Sequence, residues 1–278
     1  MNTLPMPTGS LPLATGGAAR TDGRNAFDRT GLHEMLELIG VADADSDATA
    51  MPQPAVRRIR SGESLFLEGS RANSICVVRR GSFKVFRTDE DGYERVFAFA
   101  SRGDLLGCDA LSSDRHQMAA AALEDATVLS LSLADFFALA QGMPSFHRGA
   151  MRAVSNAMID LTRLSDMMAA VSSEVRLARF LTHLSRREAA LGQPAKRLQL
   201  QMTRRDIGSY LGVAHETISR SFGALADAAL IAVEQRRVVI LDFEALQRYG
   251  QGTRAPAKLD CRLSPAAPKP RLKLALAA

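Results

Sequence analysis

The sequence predicts an α+β chain: an N-terminal antiparallel β-roll, one long helix, and a C-terminal winged helix-turn-helix. Three observations carry this reading. Short β-rich runs broken by glycine fill residues 55–133, Pro144 opens a stretch that meets no Gly or Pro between Gly149 and Gly192, and a compact helix–Gly–helix pattern at 203–222 precedes two β-branched runs.

The elements follow in order along the 278 residues. Residues 1–50, rich in Ala, Gly, Pro, Thr and Asp, read as a poorly ordered arm with one short helix over Leu32–Ile39. Residues 51–143 form the roll. Its runs are RRIRSG, SLFLEG, SICVVRRG, FKVFRTDEDG, RVFAFASRG, DLLG and ATVLSLSL, and several short strands at this spacing argue for a closed or sandwiched antiparallel sheet. Pro144 suits the first turn of a helix over 144–172. Within it Met151, Val154, Met158, Leu161, Ser165 and Met168 recur at steps of three and four, as in the seam of a two-stranded coiled coil. Such a stripe serves either a second copy of the chain or the chain's own roll. Its narrowness, with Asp160, Arg163 and Asp166 alongside, favours a homodimer. Residues 173–250 make the winged helix-turn-helix, and 251–278 read as a basic disordered tail.

Composition removes several function classes. With 46% hydrophobic and 23% charged residues the chain can bury a sizeable core. Its apolar runs stay far below the roughly 20 residues of a spanning helix, and no apolar leader follows a basic start, so the expectation is a cytoplasmic protein without a membrane partner. Cys76, Cys108 and Cys261 are too far apart in sequence for a CxxC pair or a disulfide framework. The net charge of +5 is uneven: −4 over residues 1–173, +4 over 174–250, and six basic groups against one acidic in 251–278. A basic C-terminal third is a candidate for phosphate contact.

The chemistry concentrates in TRRDIGSYLGVAHETISRSF, residues 203–222. Thr203 with Asp206 three positions on has the form of a capping box, and Gly212 ends the helix that the box opens. Ile207, Leu211, Val213 and Ile218 fall where two helices share a core, with small Gly208 at their close approach. Spacings of three and four put Glu216, Ser219 and Arg220 on one helical face, where Arg can donate twice to guanine O6 and N7 and Glu can accept from cytosine N4. The run LIAVEQRRVVIL then predicts a hairpin with Gln235, Arg236 and Arg237 at its tip, able to lie along phosphates.

These residues, with GDLLG-x-DAL, MPSF and HLSRRE upstream, closely resemble the FNR branch of the CRP/FNR transcription regulators over residues 55–250. The resemblance implies a cyclic-nucleotide-binding-like roll and a helix-turn-helix that reads double-stranded DNA. It assigns base readout of TTGAT…ATCAA-type sites to Glu216, Ser219 and Arg220, and backbone contacts to Thr203, Arg204, His215, Thr217, Arg236 and Arg237. The dimer interface would use Met151, Val154, Met158, Leu161 and Met168. RNA polymerase is an implied partner, through the acidic turn Asp89–Glu94. Ala214 and His215 depart from the family, which usually carries a Ser or Thr cap and an apolar residue there. Losing a cap hydroxyl costs about 1 kcal/mol of helix stability.

Cofactor expectations follow from what is missing. Oxygen-sensing relatives hold an iron–sulfur cluster on closely spaced N-terminal cysteines, and residues 1–75 contain none. Cyclic-nucleotide binding in the family needs Gly-Glu and an Arg-Ser/Thr pair. Cys108 stands at the Glu position, Met118-Ala119 offers no guanidinium, and Arg115 is the one nearby candidate. The expectation is therefore no cluster, no cyclic AMP and no metal, with haem left open because its ligands follow no local motif. A self-sufficient dimer of the FixK type fits best. His33, His116, His147, His183 and His215 are scattered, and the strand runs quoted above hold no histidine. That argues against a metal-dependent cupin enzyme, and the helix-turn-helix argues against a signalling subunit that lacks DNA binding.

Overall fold

The computed structural model describes residues 31–41 and 51–255. Two four-stranded antiparallel sheets face each other. One has the order β1 (Ala55–Ile59), β8 (Ala126–Ser132), β3 (Ser74–Arg80), β6 (Leu105–Leu106). The other runs β2 (Ser64–Phe66), β7 (Ala119–Ala122), β4 (Phe83–Thr88), β5 (Glu94–Ala100).

Strand alternation explains what each face buries. On β3, Cys76 and Val78 turn into the core between the sheets with Phe83, Ala120 and Val128. Ile75 and Val77 turn outward, with Leu129 and Leu131 of β8, onto a second core formed with helices. A strand covered on both faces reads as a continuous apolar run, which is why SICVV shows no period of two. The fourfold alanine of β7 gave no strand signal at all, because alanine lacks β preference. Its register opposite Phe83–Phe86 identifies it.

The helices over the first sheet are α1 (Gly31–Leu38), α2 (Leu133–Gly142) and α3 (Pro144–Met168). The expected helix at Leu32–Ile39 is therefore present, but it is no part of a poorly ordered arm. Leu32, Met35 and Leu36 are almost fully buried, and Arg79 of β3 donates to Glu34 at 2.7 Å. Residues 1–30 and 42–50, like 256–278 of the tail with Cys261, lie outside the described residues. Gly149 is required where residues 39–41 cross α3. A β-carbon there would sit 2.4 Å from Val41 Cγ2.

The long helix ends at Met168, short of the expected residue 172. The reason is tertiary: the N–H groups of Val171 and Ser172 both donate to Thr253 O, at 2.8 and 3.1 Å, so the chain after the helix is claimed by the C-terminal segment. On the helix itself Phe146, Gly149, Ala150, Leu164 and Met167 are buried. Met151, Met158, Leu161 and Met168 face outward, with Met158 66% and Leu161 54% exposed in the protomer, and Val154 is half-buried.

The C-terminal half holds α4 (Ser173–Ala190), β9 (Arg197–Gln199), α5 (Arg204–Leu211), α6 (His215–Asp227), β10 (Ile231–Glu234), β11 (Arg237–Ile240) and α7 (Phe243–Gln251). Its core gathers Leu177, Phe180, Leu181, Ile207, Leu211, Ile218, Phe222 and Leu225, and it runs on without a break into Phe86, Val96, Ala119 and Ala121 on the outer face of the second sheet. The roll thus has helices α1–α3 on one side and the helix-turn-helix on the other.

Candidate nucleic-acid interface

The capping box at the start of α5 is complete. Asp206 N–H donates to Thr203 Oγ1 at 3.1 Å, and Thr203 N–H donates to Asp206 Oδ2 at 2.9 Å. Burial alone would raise the Asp206 carboxyl, but the Thr203 hydroxyl and N–H together with Lys84 outweigh it and hold the group below the ordinary carboxylate range. Gly212 ends α5 with φ 66°. Gly208 allows the two helices to meet, since a β-carbon on it would lie 2.7 Å from Val213 O.

Helix α6 buries Ile218, Ser221, Phe222 and Leu225. Its other face presents Glu216, Ser219 and Arg220 to solvent, so the three residues expected together do share one exposed surface. Two of them are already oriented by local bonds. Arg220 Nη2 donates to Thr217 Oγ1 at 3.2 Å, and Ser219 Oγ donates to His215 O at 3.0 Å. His215 Nε2 lies 3.2 Å from Glu216 Oε1. Thr217 is half-buried beneath them. The N-cap is Ala214, which supplies no side-chain bond, so the first N–H groups of α6 are left without a capping oxygen.

The hairpin of β10 and β11 turns at Gln235, φ 51°, and Arg236. Strand β9 pairs with β11 and makes the wing a three-stranded sheet, an addition that sequence reasoning missed because Arg197–Gln199 is too short to show a period. Arg236 and Arg237 are exposed, although Arg236 Nη1 also donates to Gln201 O at 3.1 Å.

Arg204 departs from its expected place on a phosphate. Its guanidinium carbon lies 3.4 Å from the centroid of the Phe222 ring, and Nη2 donates to Gln235 O at 3.3 Å. Nη1 is buried without a hydrogen-bond partner among the described residues. The side chain therefore props the wing tip against α6. Its neighbour Arg205 is the exposed member of the pair.

A second feature is a cavity of about 610 Å³ that opens between the second sheet, α3 and α4. Phe97, Leu106, Cys108, Met118, Leu161 and His183 are among its walls. Cys108 does not offer a reactive thiolate, because burial and then Asp109 push its thiol up to about 11. Burial, and then Arg187, hold His183 down at about 4, which keeps its ring neutral.

Comparison with known proteins agrees with this layout. The pattern of the Crp-like helix-turn-helix domain matches residues 175–249, and that of the cyclic nucleotide-binding domain matches residues 56–142. The chain is 34% identical to the anaerobic regulatory protein of Pasteurella multocida over 72% of its own length and 74% of that protein. It is 34% identical to the fumarate and nitrate reduction regulatory protein of Escherichia coli, over 70% of this chain and 78% of the relative. The structure of FixK2 from Bradyrhizobium japonicum superposes with a TM-score of 0.64 at 24% identity, covering 70% of this chain and 96% of that one.

Arg204 generates a first prediction. Arg204→Leu removes both the ring contact and the bond to Gln235, so it is expected to lower stability by about 1–2 kcal/mol in urea titrations and to speed amide exchange at the wing tip. Arg205→Ala should stay within about 0.5 kcal/mol of the parent. Matching losses in the two variants would mean that Arg204 does not support the wing.

Proposed function

Because the chain belongs to the CRP/FNR family of DNA-binding transcription regulators and is not an enzyme, we propose that it binds, as a homodimer, inverted half-sites of the type TTGAT…ATCAA and controls genes of oxygen-limited or nitrogen-oxide respiration. The observation that carries this is the exposed face of α6, where Glu216, Ser219 and Arg220 stand together over a buried core. Arg220 is aimed at guanine and Glu216 at the opposing cytosine or a neighbouring base, each contact giving about 1–3 kcal/mol of discrimination. Thr203, His215, Thr217, Arg236 and Arg237 flank that face and suit the phosphates. The uncapped N-terminus of α6 suits them too, since free helix N–H groups attract an anion. No helix among the described residues is long and apolar enough to cross a membrane, and we place the protein in the cytoplasm, where its DNA lies.

The homodimer reading rests on α3. Met151, Met158, Leu161 and Met168 form an outward apolar row, with Val154 beside it, that a second copy would cover. No acidic residue interrupts the row, so pairing needs no signal.

The residues present do not suit the family's cyclic nucleotide. Two guanidinium groups line the cavity and both are engaged, Arg152 with Gly40 O and Arg187 with Asp104, while Arg115 is not among its walls and donates to Gly69 O. Met118 stands where a phosphate ligand is needed, and Asp109 adds a carboxylate. An iron–sulfur cluster does not fit either, since Cys76 and Cys108 are the two described cysteines and Cys76 is buried in β3. We therefore read the protein as a regulator without a resident cofactor. Haem is the alternative, supported by the neutral His183 on the cavity wall, and a Soret band in the purified protein would reveal it.

Three experiments test these readings. In competition binding, Arg220→Ala should lose about 1–3 kcal/mol per half-site on the intact operator and almost nothing on a G-substituted one. Arg237→Ala should weaken both DNAs alike and lower the salt slope by about one unit per lost phosphate contact. An equal loss for Arg220→Ala on both DNAs would make Arg220 a mere phosphate contact. Light scattering in air at micromolar concentration should give a dimer mass, and Leu161→Asp, which sets two like charges in an apolar seam, should shift it towards monomer; an unchanged mass moves the seam elsewhere. We also propose contact with RNA polymerase through the acidic β4–β5 turn, in which Asp89 already pairs with Arg95. Neutralising Asp89, Glu90 and Asp91 should cost activation in vitro while operator binding persists, and joint loss of both would refute the assignment.

A further inference from the structure

Strand β5 is the last strand of its sheet, so one of its edges has no neighbouring strand. Helix α5 occupies that edge. The Ser209 hydroxyl accepts from Val96 N–H at 2.9 Å and donates to Glu94 O at 2.8 Å, standing in for the missing strand with a single side chain. Beside it Lys84 of β4 is bonded to Glu94 and, at 3.2 Å, to Asp206 Oδ1 in the capping box. Burial would lower Lys84, but its bonds to Glu94 and Asp206 prevail and raise it, so the ammonium is firmly held. Behind these polar contacts Tyr210 packs against Phe99 and Phe180, with ring centroids 5.0 and 5.6 Å away. While α5 is held in this way, Glu216, Ser219 and Arg220 stay open to solvent. The contact therefore orients the DNA-reading helix without covering it.

We propose that Ser209 and Lys84 are positioning residues for operator binding: they clamp α5 to the edge of β5 and so fix the orientation at which the two α6 helices of a dimer meet inverted half-sites. The inference rests on the operator and dimer reading above. Its physical content is preorganisation. A helix-turn-helix free to swivel on its roll must be brought into register with its twin each time both half-sites are engaged, and the population already in register sets the apparent affinity. A lone half-site makes no such demand.

The test compares fluorescence anisotropy of the full chain on a palindromic duplex and on a duplex carrying one half-site, at fixed salt. For Ser209→Ala the palindrome dissociation constant should rise about tenfold, while half-site affinity and the preference for intact over G-substituted operator stay as in the parent. Lys84→Met, which changes no residue of the C-terminal half and leaves the Thr203–Asp206 capping bonds in place, should show the same split. Equal losses on both duplexes would mean that the variants damage the helix-turn-helix itself, which overturns the proposal. Tighter palindrome binding would make the contact a restraint, and unchanged binding would make it incidental; either result also overturns it. A parent protein that prefers no palindrome would instead refute the operator reading beneath, which separates the two failures.

Discussion

A carboxylate withdrawn from water needs partners on every side, and Asp206 finds them in both halves of the molecule. It accepts the N–H and hydroxyl of Thr203 and so starts α5; its other oxygen accepts from Lys84 of the roll. The same charge thus defines a helix end and ties that end to a sheet. Either partner alone would leave one oxygen of a buried anion poorly matched. With both, the start of the helix-turn-helix and its seat on the roll become one constraint. The Phe99–Tyr210–Phe180 cluster and the contacts of Arg187 with Asp104 and Ser101 then close around it.

The roll is built to receive such a load. Its sheets are covered outside as well as inside, one by α1–α3 and the other by the C-terminal core. The small side chains of β7 suit the covered face, where Ala119 and Ala121 reach the C-terminal core and Ala120 and Ala122 reach the space between sheets. On α3 the same economy uses Gly149 to let residues 39–41 approach. The helix thereby spends its buried face on its own chain near both ends and leaves Met151, Met158, Leu161 and Met168 largely open to solvent in the protomer.

What could be read from the sequence was whatever is encoded within about one helical turn or one strand. Thr203 and Asp206 announced the start of α5, Gly212 its end, and the spacing of Glu216, Ser219 and Arg220 their common face. Arg204 defeated the same reasoning. As a basic residue at a helix start it suggested a phosphate contact, and nothing local indicated that Phe222 would lie under it. Strands β7 and β9 were hidden by weak propensity and brevity; the helix α1 was legible, but its low-complexity surroundings hid its burial against the roll. Ser209 and Lys84 carry no motif. Their partners lie 115 and 122 residues away in sequence, and only the docking of two domains gives them meaning.

The bare edge of β5 has one more consequence, for solubility. An unpaired strand edge is a template on which other chains can add, and proteins commonly blunt it with charge, a bulge or a cover. Here the cover is the DNA-binding half itself, with Ser209 on the open amide and carbonyl, and a bulge at Phe97 of β5, opposite Val85 and Phe86, that bends the edge strand itself. Any event that separates the two halves, such as proteolysis after α3 or thermal opening, bares that edge together with Val96 and Phe99. The helix-turn-helix therefore protects its own scaffold against self-association, and a roll cut free of it is expected to be the stickier fragment.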